Sequence, residues 1–198
     1  MFMSRRTMPI STRRDRQHGV ALIEVLVAIL LLLIGILGMA GVQVRASQSE
    51  FESYQRKQAL VLLQDMVDRL QANRLMATCY ALTNATSGAP FAGTGATVPA
   101  CGTGTSPSEL VALADMSTWS GALLGAAEVQ GGSNVGAVIG ARGCIADKTG
   151  GIYTVSVAWQ GMSATSAPPA ALTCGKNQYG DETLRRVVSM NVRVVSLP

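Results

Sequence analysis

Three features of this chain carry residue types that can do chemistry. One is a lone carboxylate, Glu24, set in an otherwise apolar run that begins directly after Gly19. Another is an even set of cysteines, Cys79, Cys101, Cys144 and Cys174. The third is a single histidine, His18, just before Gly19. A carboxylate at the centre of a membrane helix costs about 2.5–3.5 kcal/mol on insertion scales, so it calls for a cationic or hydrogen-bonding partner. Four cysteines suit two disulfides or a metal site, but the spacings are wide and there is no C-x-x-C pair, which argues against zinc. With no histidine beyond His18, residues 20–198 have no Cys-His or Ser-His pair and no imidazole metal ligand. The glycine-rich stretches also lack the G-x-x-x-x-G-K-[ST] pattern of a phosphate loop. No catalytic residue, cofactor or metal is expected.

The elements that must position these residues begin with the apolar run itself. Val25–Val42 holds no charged residue, and a helix over residues 20–44 would reach about 37 Å, enough for a hydrocarbon core of roughly 30 Å. Arg5, Arg6, Arg13, Arg14 and Arg16, opposed only by Asp15, precede it. By the positive-inside rule residues 1–19 stay in the cytoplasm and everything after Val44 crosses the membrane, leaving an extracytoplasmic C-terminal domain. The run is too long for a cleaved secretory h-region, so it reads as a retained anchor. The net charge of +4 lies in that leader. The remainder is balanced, so no nucleic-acid binding is expected from charge, and the scattered aromatics form no stacking platform. Gly35, Gly38 and Gly41 break the run at steps of three, a spacing that is not GxxxG and specifies no dimer.

From Ala46 to about Ala77 there is no glycine or proline, and Ala59, Leu62, Leu63, Met66, Val67 and Leu70 recur at helical spacing. Glu52 with Arg56 and Asp65 with Arg69 are i,i+4 pairs on the wetter sides. The two halves predict one helix of about 55 residues, at 3.6 residues per turn, with an apolar stripe in its second half. Thr83–Thr105 reads as a loop. Pro107 to about Ala127 predicts one or two short helices after a Ser108 cap, carrying Leu110, Leu113, Leu123, Leu124 and Trp119, and Gly131-Gly132-Ser133-Asn134 reads as a turn. Ile152–Trp159 alternates, with Tyr153, Val155, Val157 and Trp159 on one face, and Val188, Met190, Val192 and Val194 repeat the pattern. Residues 137–146 are expected to pair with 152–159 through a turn at Asp147–Gly151, giving three antiparallel strands laid on the helix, with Ser163–Asp181 as a surface loop. Of three possible disulfide pairings, the expected one joins Cys79 to Cys101, pinning the loop to the helix end, and Cys144 to Cys174, tying the hairpin to the last loop.

The stretch Gly19-Val20-Ala21-Leu22-Ile23-Glu24-Val25 resembles the class III signal of type IV prepilins: a basic leader ending in glycine, an apolar residue, and glutamate fifth in the mature chain. The departure is Val20, where phenylalanine is usual. The resemblance implies cleavage by prepilin peptidase between Gly19 and Val20, N-methylation of Val20, and subunit assembly through Glu24 and the new amine of a neighbour. Within one helix that amine lies only four residues from Glu24, and a buried ionic pair of this kind fixes axial register. Ile34–Gln43, Tyr153–Gly161 and Arg185-Arg186-Val187-Val188 are similar to the PilV-type minor pilins. That likeness implies an α+β, type IV pilin-like fold in which a long N-terminal helix packs on a small antiparallel sheet. It divides the chain into a leader (1–19), a transmembrane and assembly half-helix (20–44), an amphipathic half-helix (45–77), a variable region (78–136) and a sheet with a C-terminal disulfide loop (137–198). It further implies a subunit that primes pilus assembly near the tip, in twitching motility, adhesion or DNA uptake, and that ends in the surface fibre. Its partners would be the peptidase, other minor pilins and the major pilin through the N-terminal helix, and a tip adhesin as a candidate. The alternatives are a minor pseudopilin of type II secretion, which shares the signal, a membrane-tethered DNA receptor, which needs a basic groove, and an anchored enzyme, which the missing histidine disfavours.

Overall fold

The computed structural model describes residues 20–96, 101 and 106–195. The basic leader and Gly19 lie outside them, and so does part of the loop that follows β1. The chain divides into two compact units, Met1–Ser47 and Gln48–Pro198. One helix, α1 (Val20–Ala72), runs through both.

Helix α1 lasts 53 residues because nothing interrupts it except Gly35, Gly38 and Gly41, each costing about 1 kcal/mol relative to alanine. After Ala72 it tightens into a 3-10 turn at Arg74–Met76 and one more turn, α2 (Ala77–Tyr80). A single helix, α3 (Pro107–Leu123), follows rather than two, and its cap is Ser106, not Ser108. The Ser106 hydroxyl accepts from the Glu109 N–H and the Glu109 carboxylate accepts from the Ser106 N–H, a reciprocal box with Pro107 in the first helical position. Its buried stripe is Ala112, Met116, Trp119 and Leu123, while Leu110 and Leu124 face solvent.

Two short strands, β2 (Val129–Gln130) and β3 (Ser133–Asn134), close an exposed hairpin over Gly131-Gly132. The main sheet has four antiparallel strands in the order β1-β4-β5-β6, with β1 at Ala92–Gly93, β4 at Arg142–Lys148, β5 at Ile152–Gln160 and β6 at Arg185–Arg193. The β4–β5 hairpin is shorter and shifted from the expected pairing. Asp147 and Lys148 belong to the ladder opposite Tyr153 and Ile152, and the turn is Thr149-Gly150-Gly151. Gly150 and Gly151 both adopt positive φ, +82° and +72°, which L side chains resist.

One buried cluster joins the α1 stripe (Ala59, Leu63, Met66, Val67, Leu70) to the α3 stripe and to Tyr153, Val155, Val157, Val188 and Val192 of the sheet. Gly143 lets this packing close, since a Cβ there would collide with the Trp119 ring. The opposite face of β5 is not wet. Ser156 and Ala158 are buried because the loop before β6 folds back over the sheet and brings Cys174 and Tyr179 onto Cys144 and Ala158, flanked by Phe91 and Val187. The result is α+β: a long N-terminal helix whose second half packs on a small antiparallel sheet.

Candidate functional site

In the N-terminal unit the described residues are helical from Val20 onward. Every side chain described from Leu22 to Ser47 is exposed, with Leu37 and Met39 more than 70 % open. The helix is long and apolar enough to cross a membrane. Contiguous apolar surface of this extent marks a lipid or protein contact rather than a water-facing surface. Glu24 is exposed within it, four residues and about 6 Å of helix rise along from Val20 at 1.5 Å per residue. Gly19 lies outside the described residues, so the bond between it and Val20 is not part of this geometry. A Cβ built on Gly35, Gly38 or Gly41 meets nothing within 4 Å, so packing inside this chain does not require glycine there.

The second unit is held by covalent and ionic ties. Cys79, in α2, is bonded to Cys101 with Cα atoms 5.2 Å apart. Cys144, in β4, is bonded to Cys174 at 5.8 Å. Both Cα separations lie in the range usual for disulfides. Among the described residues no free cysteine and no group of three or more His, Cys, Asp or Glu side chains able to hold a metal is present.

Several polar contacts have no local signature. Asp115 of α3 accepts from Arg69 Nη1 (2.8 Å) and from the Tyr80 hydroxyl (2.6 Å), while Asn73 Nδ2 donates to the Tyr80 oxygen and to Ser108 O. Arg69 also holds Asp65 at 3.0 Å, the i,i+4 pair visible in the sequence. Its pKa is raised, chiefly by the Asp65 hydrogen bond, against the opposing effect of burial and with help from Asp115. Burial, and then the hydrogen bond to Asp115, pushes the Tyr80 phenol well above its usual range.

Glu52 does not pair with Arg56. It accepts from the Met162 and Ser163 N–H groups and the Ser163 hydroxyl, and lies 3.5 Å from Arg186, because the long-range partners carry backbone donors as well as charge. Arg185, only 2 % exposed, meets Glu182 at 2.6 Å and donates to the carbonyls of Leu172 and Cys174. Burial pushes Glu182 up, but the Arg185 bond, the Asn177 N–H and the charges of Arg185 and Lys176 outweigh it, and its pKa is lowered. Arg142 lies 5.2 Å from the Phe91 ring centroid and 4.8 Å from that of Tyr179. The sign and position of these residues were readable in sequence, but only the fold says which ones meet.

The described residues offer an apolar helix with one acid near its start and a head closed by two disulfides. Residues 14–40 match the family model for the prokaryotic N-terminal methylation motif, and residues 41–114 match the Tt1218-like model, described as type IV pilin Tt1218. No curated protein and no solved structure matches the chain. The two matched stretches run end to end, so over residues 14–114 the chain is similar to a type IV pilin with an N-terminal methylation signal. Pilins are structural subunits, and such a signal implies a processing peptidase and other pilins as partners.

Proposed function

We propose that this type IV pilin-like chain is a minor pilin of the PilV type. Prepilin peptidase cuts it between Gly19 and Val20, Val20 is methylated, and the new amine and Glu24 set the register of the subunit against its neighbours near the pilus tip. Before assembly residues 1–19 lie in the cytoplasm and the disulfide-stapled head in the periplasm. The observation that carries this reading is the coincidence of two things at one place: a methylation signal over residues 14–40 and a continuous exposed apolar helix surface interrupted by a single carboxylate. A cation four residues from Glu24 removes the cost of holding an acid in lipid. A register set by one buried polar residue in an apolar bundle is well attested in coiled coils.

Mass spectrometry of the protein from cells with and without the peptidase tests the processing. The mature chain is expected to begin at N-methylated Val20 only when the peptidase is present. A chain that keeps residues 1–19 and still enters the fibre overturns the reading. Its place in the pilus rather than in a secretion machine is tested by its presence in pili sheared from the cell surface, together with loss of surface pili on deletion.

A further inference from the structure

We propose that the outer edge of β6 is a docking site for an extended, acid-flanked strand of another protein, which joins the sheet as its fifth strand. The inference concerns residues 48–198 alone and does not depend on how the N-terminus is processed.

The ladder shows which backbone groups are free. The Val194 N–H donates to Gly151 O at 2.8 Å and the Gly161 N–H to Leu184 O at 2.7 Å. With Tyr153 opposite Val192 and Val157 opposite Val188, it is therefore the even-numbered residues of β6 that turn their amides and carbonyls toward β5. In an antiparallel ladder the intervening residues turn theirs the other way. Val187, Ser189 and Asn191 thus present three amides and three carbonyls outward, and among the described residues none of the six has a hydrogen-bond partner. Edges are ordinarily short, bulged or covered, because a row of unpaired donors and acceptors templates another strand. This one is nine residues long.

The side chains say what the strand should look like. Met190 is 41 % exposed although Val188 and Val192, its neighbours on the same face, are 9 % and 4 % exposed. An apolar residue set beside β6 on that face would cover it. On the other face Ser189 and Asn191 are exposed and suit small polar neighbours. A cleft of about 240 Å³ separates α1 from this edge, with Ser53 and Arg56 on the helix side and Trp159, Arg186 and Val188 on the sheet side. Strand β6 holds no acid and has arginines at both ends. Glu52 in the cleft is already engaged by Arg186, while Arg56 and Arg193 make no ion pair among the described residues. The complementary strand therefore carries acids at its ends and an apolar centre. A second copy of β6 does not fit, since antiparallel self-pairing sets Arg185 and Arg186 against Arg193, and like charges placed opposite one another repel.

The test titrates the full chain in detergent micelles with two fluorescent valine–threonine peptides of the length of β6, one ending in glutamates and the other in lysines. The glutamate peptide is expected to bind about tenfold more tightly, as two exposed ion pairs of ordinary strength would give. It should also slow amide exchange at Val187, Ser189 and Asn191, while Val188 and Met190 stay as they were. Ser189→Pro, which removes an outward amide, should abolish binding. Because that variant can disturb the strand itself, the double variant Arg56→Glu, Arg193→Glu provides a second check, and it should reverse the preference between the two peptides. Equal affinities, no binding of either peptide, unchanged exchange at the three outward amides, or concentration-dependent pairing of the chain with itself through β6 would each overturn the proposal.

Discussion

Asp115 and Tyr80 meet at 2.6 Å across the head, 35 residues apart in sequence, and the same carboxylate holds Arg69 at 2.8 Å. Helix α3, α2 and the end of α1 are thereby tied at one side chain. Asp115 is only partly exposed, 18 % at the side chain, and hydrogen bonds to charged groups are worth about 1.5–3 kcal/mol each. Arg69 retains Asp65 when Asp115 is removed, so the loss falls mainly on Tyr80. Asp115→Ala should destabilise the chain by about 2–3 kcal/mol in urea unfolding followed by tryptophan fluorescence. Adding Tyr80→Phe to it should cost clearly less than the sum of the two single changes, because both remove one shared bond. Strict additivity would show that the pair is not coupled.

Tyr80 also dictates behaviour at high pH. Its folded pKa is raised, first by burial and then by Asp115. Burial raises Tyr179 and Tyr153 as well. The folded state therefore favours the neutral phenol. That stability is complete below the unfolded value of about 10 and is lost as pH rises beyond it toward the folded pKa. The urea midpoint should fall above pH 10, and Tyr80→Phe should flatten that fall while lowering stability by about 1–2 kcal/mol at neutral pH. Tyrosinate absorbance that titrates for all four tyrosines near pH 10 in the folded chain would contradict this.

Glu182 works in the acid range with the opposite sign. Its folded pKa lies below the ordinary 4.5, so its contribution is present above that value and disappears as pH falls through the lower folded one. The partner is the buried Arg185 guanidinium, which also holds the Leu172 and Cys174 carbonyls. Glu182→Gln should cost about 1–2 kcal/mol at neutral pH, and below pH 4 the gap between variant and parent should narrow. The same change should loosen the loop around Cys174, seen as faster reduction of Cys144–Cys174 by a small thiol than in the parent.

Gly143 is the tightest point between sheet and helix. A methyl group there would run into the Trp119 ring and Leu123, and Trp119 cannot simply turn away because its indole N–H donates to Leu62 O at 2.8 Å. Gly143→Ala should destabilise by about 1–3 kcal/mol, the usual cost of overpacking, and shift the Trp119 emission. A variant as stable as the parent with unchanged emission would mean that the sheet and α3 are free to separate.

What was legible before the structure follows a physical divide. The α1 stripe from Ala59 to Leu70 and the strands 152–160 and 185–193 were readable because burial on one face leaves a period, 3.6 or 2, in the residues themselves. Strand β1, two residues long, has no period to read, and its pairing with Arg142 and Gly143 is set by tertiary contacts. The burial of Ser156 and Ala158 was not readable, because alternation cannot show that a disulfide-bound loop will cover the far face of β5. The cap of α3 moved from Ser108 to Ser106 because only Ser106 has proline next and glutamate three residues on. Glu52 left its local partner Arg56 for Arg186 and two backbone amides that only the folded chain brings near. The apolar half of α1 was the easiest part to read, since length, apolar content and one acid are all local.

That acid supplies the last prediction. If Glu24 is held by a methylated amine of a neighbouring subunit, its charge matters after processing and not before. Glu24→Gln keeps the size and removes the charge, so the peptidase should still cut after Gly19, and the mature chain should accumulate in the inner membrane. Its recovery in sheared pili should drop by about tenfold or more, since an ammonium left unpaired in an apolar bundle is strongly unfavourable. Glu24→Asp keeps the charge on a shorter arm and should recover part of the incorporation, which a purely steric role for the side chain would not allow. Measuring cleavage and incorporation in the same cells separates the two steps: a Glu24→Gln chain that is cut and enters pili as well as the parent would remove the ionic pair from the account of assembly.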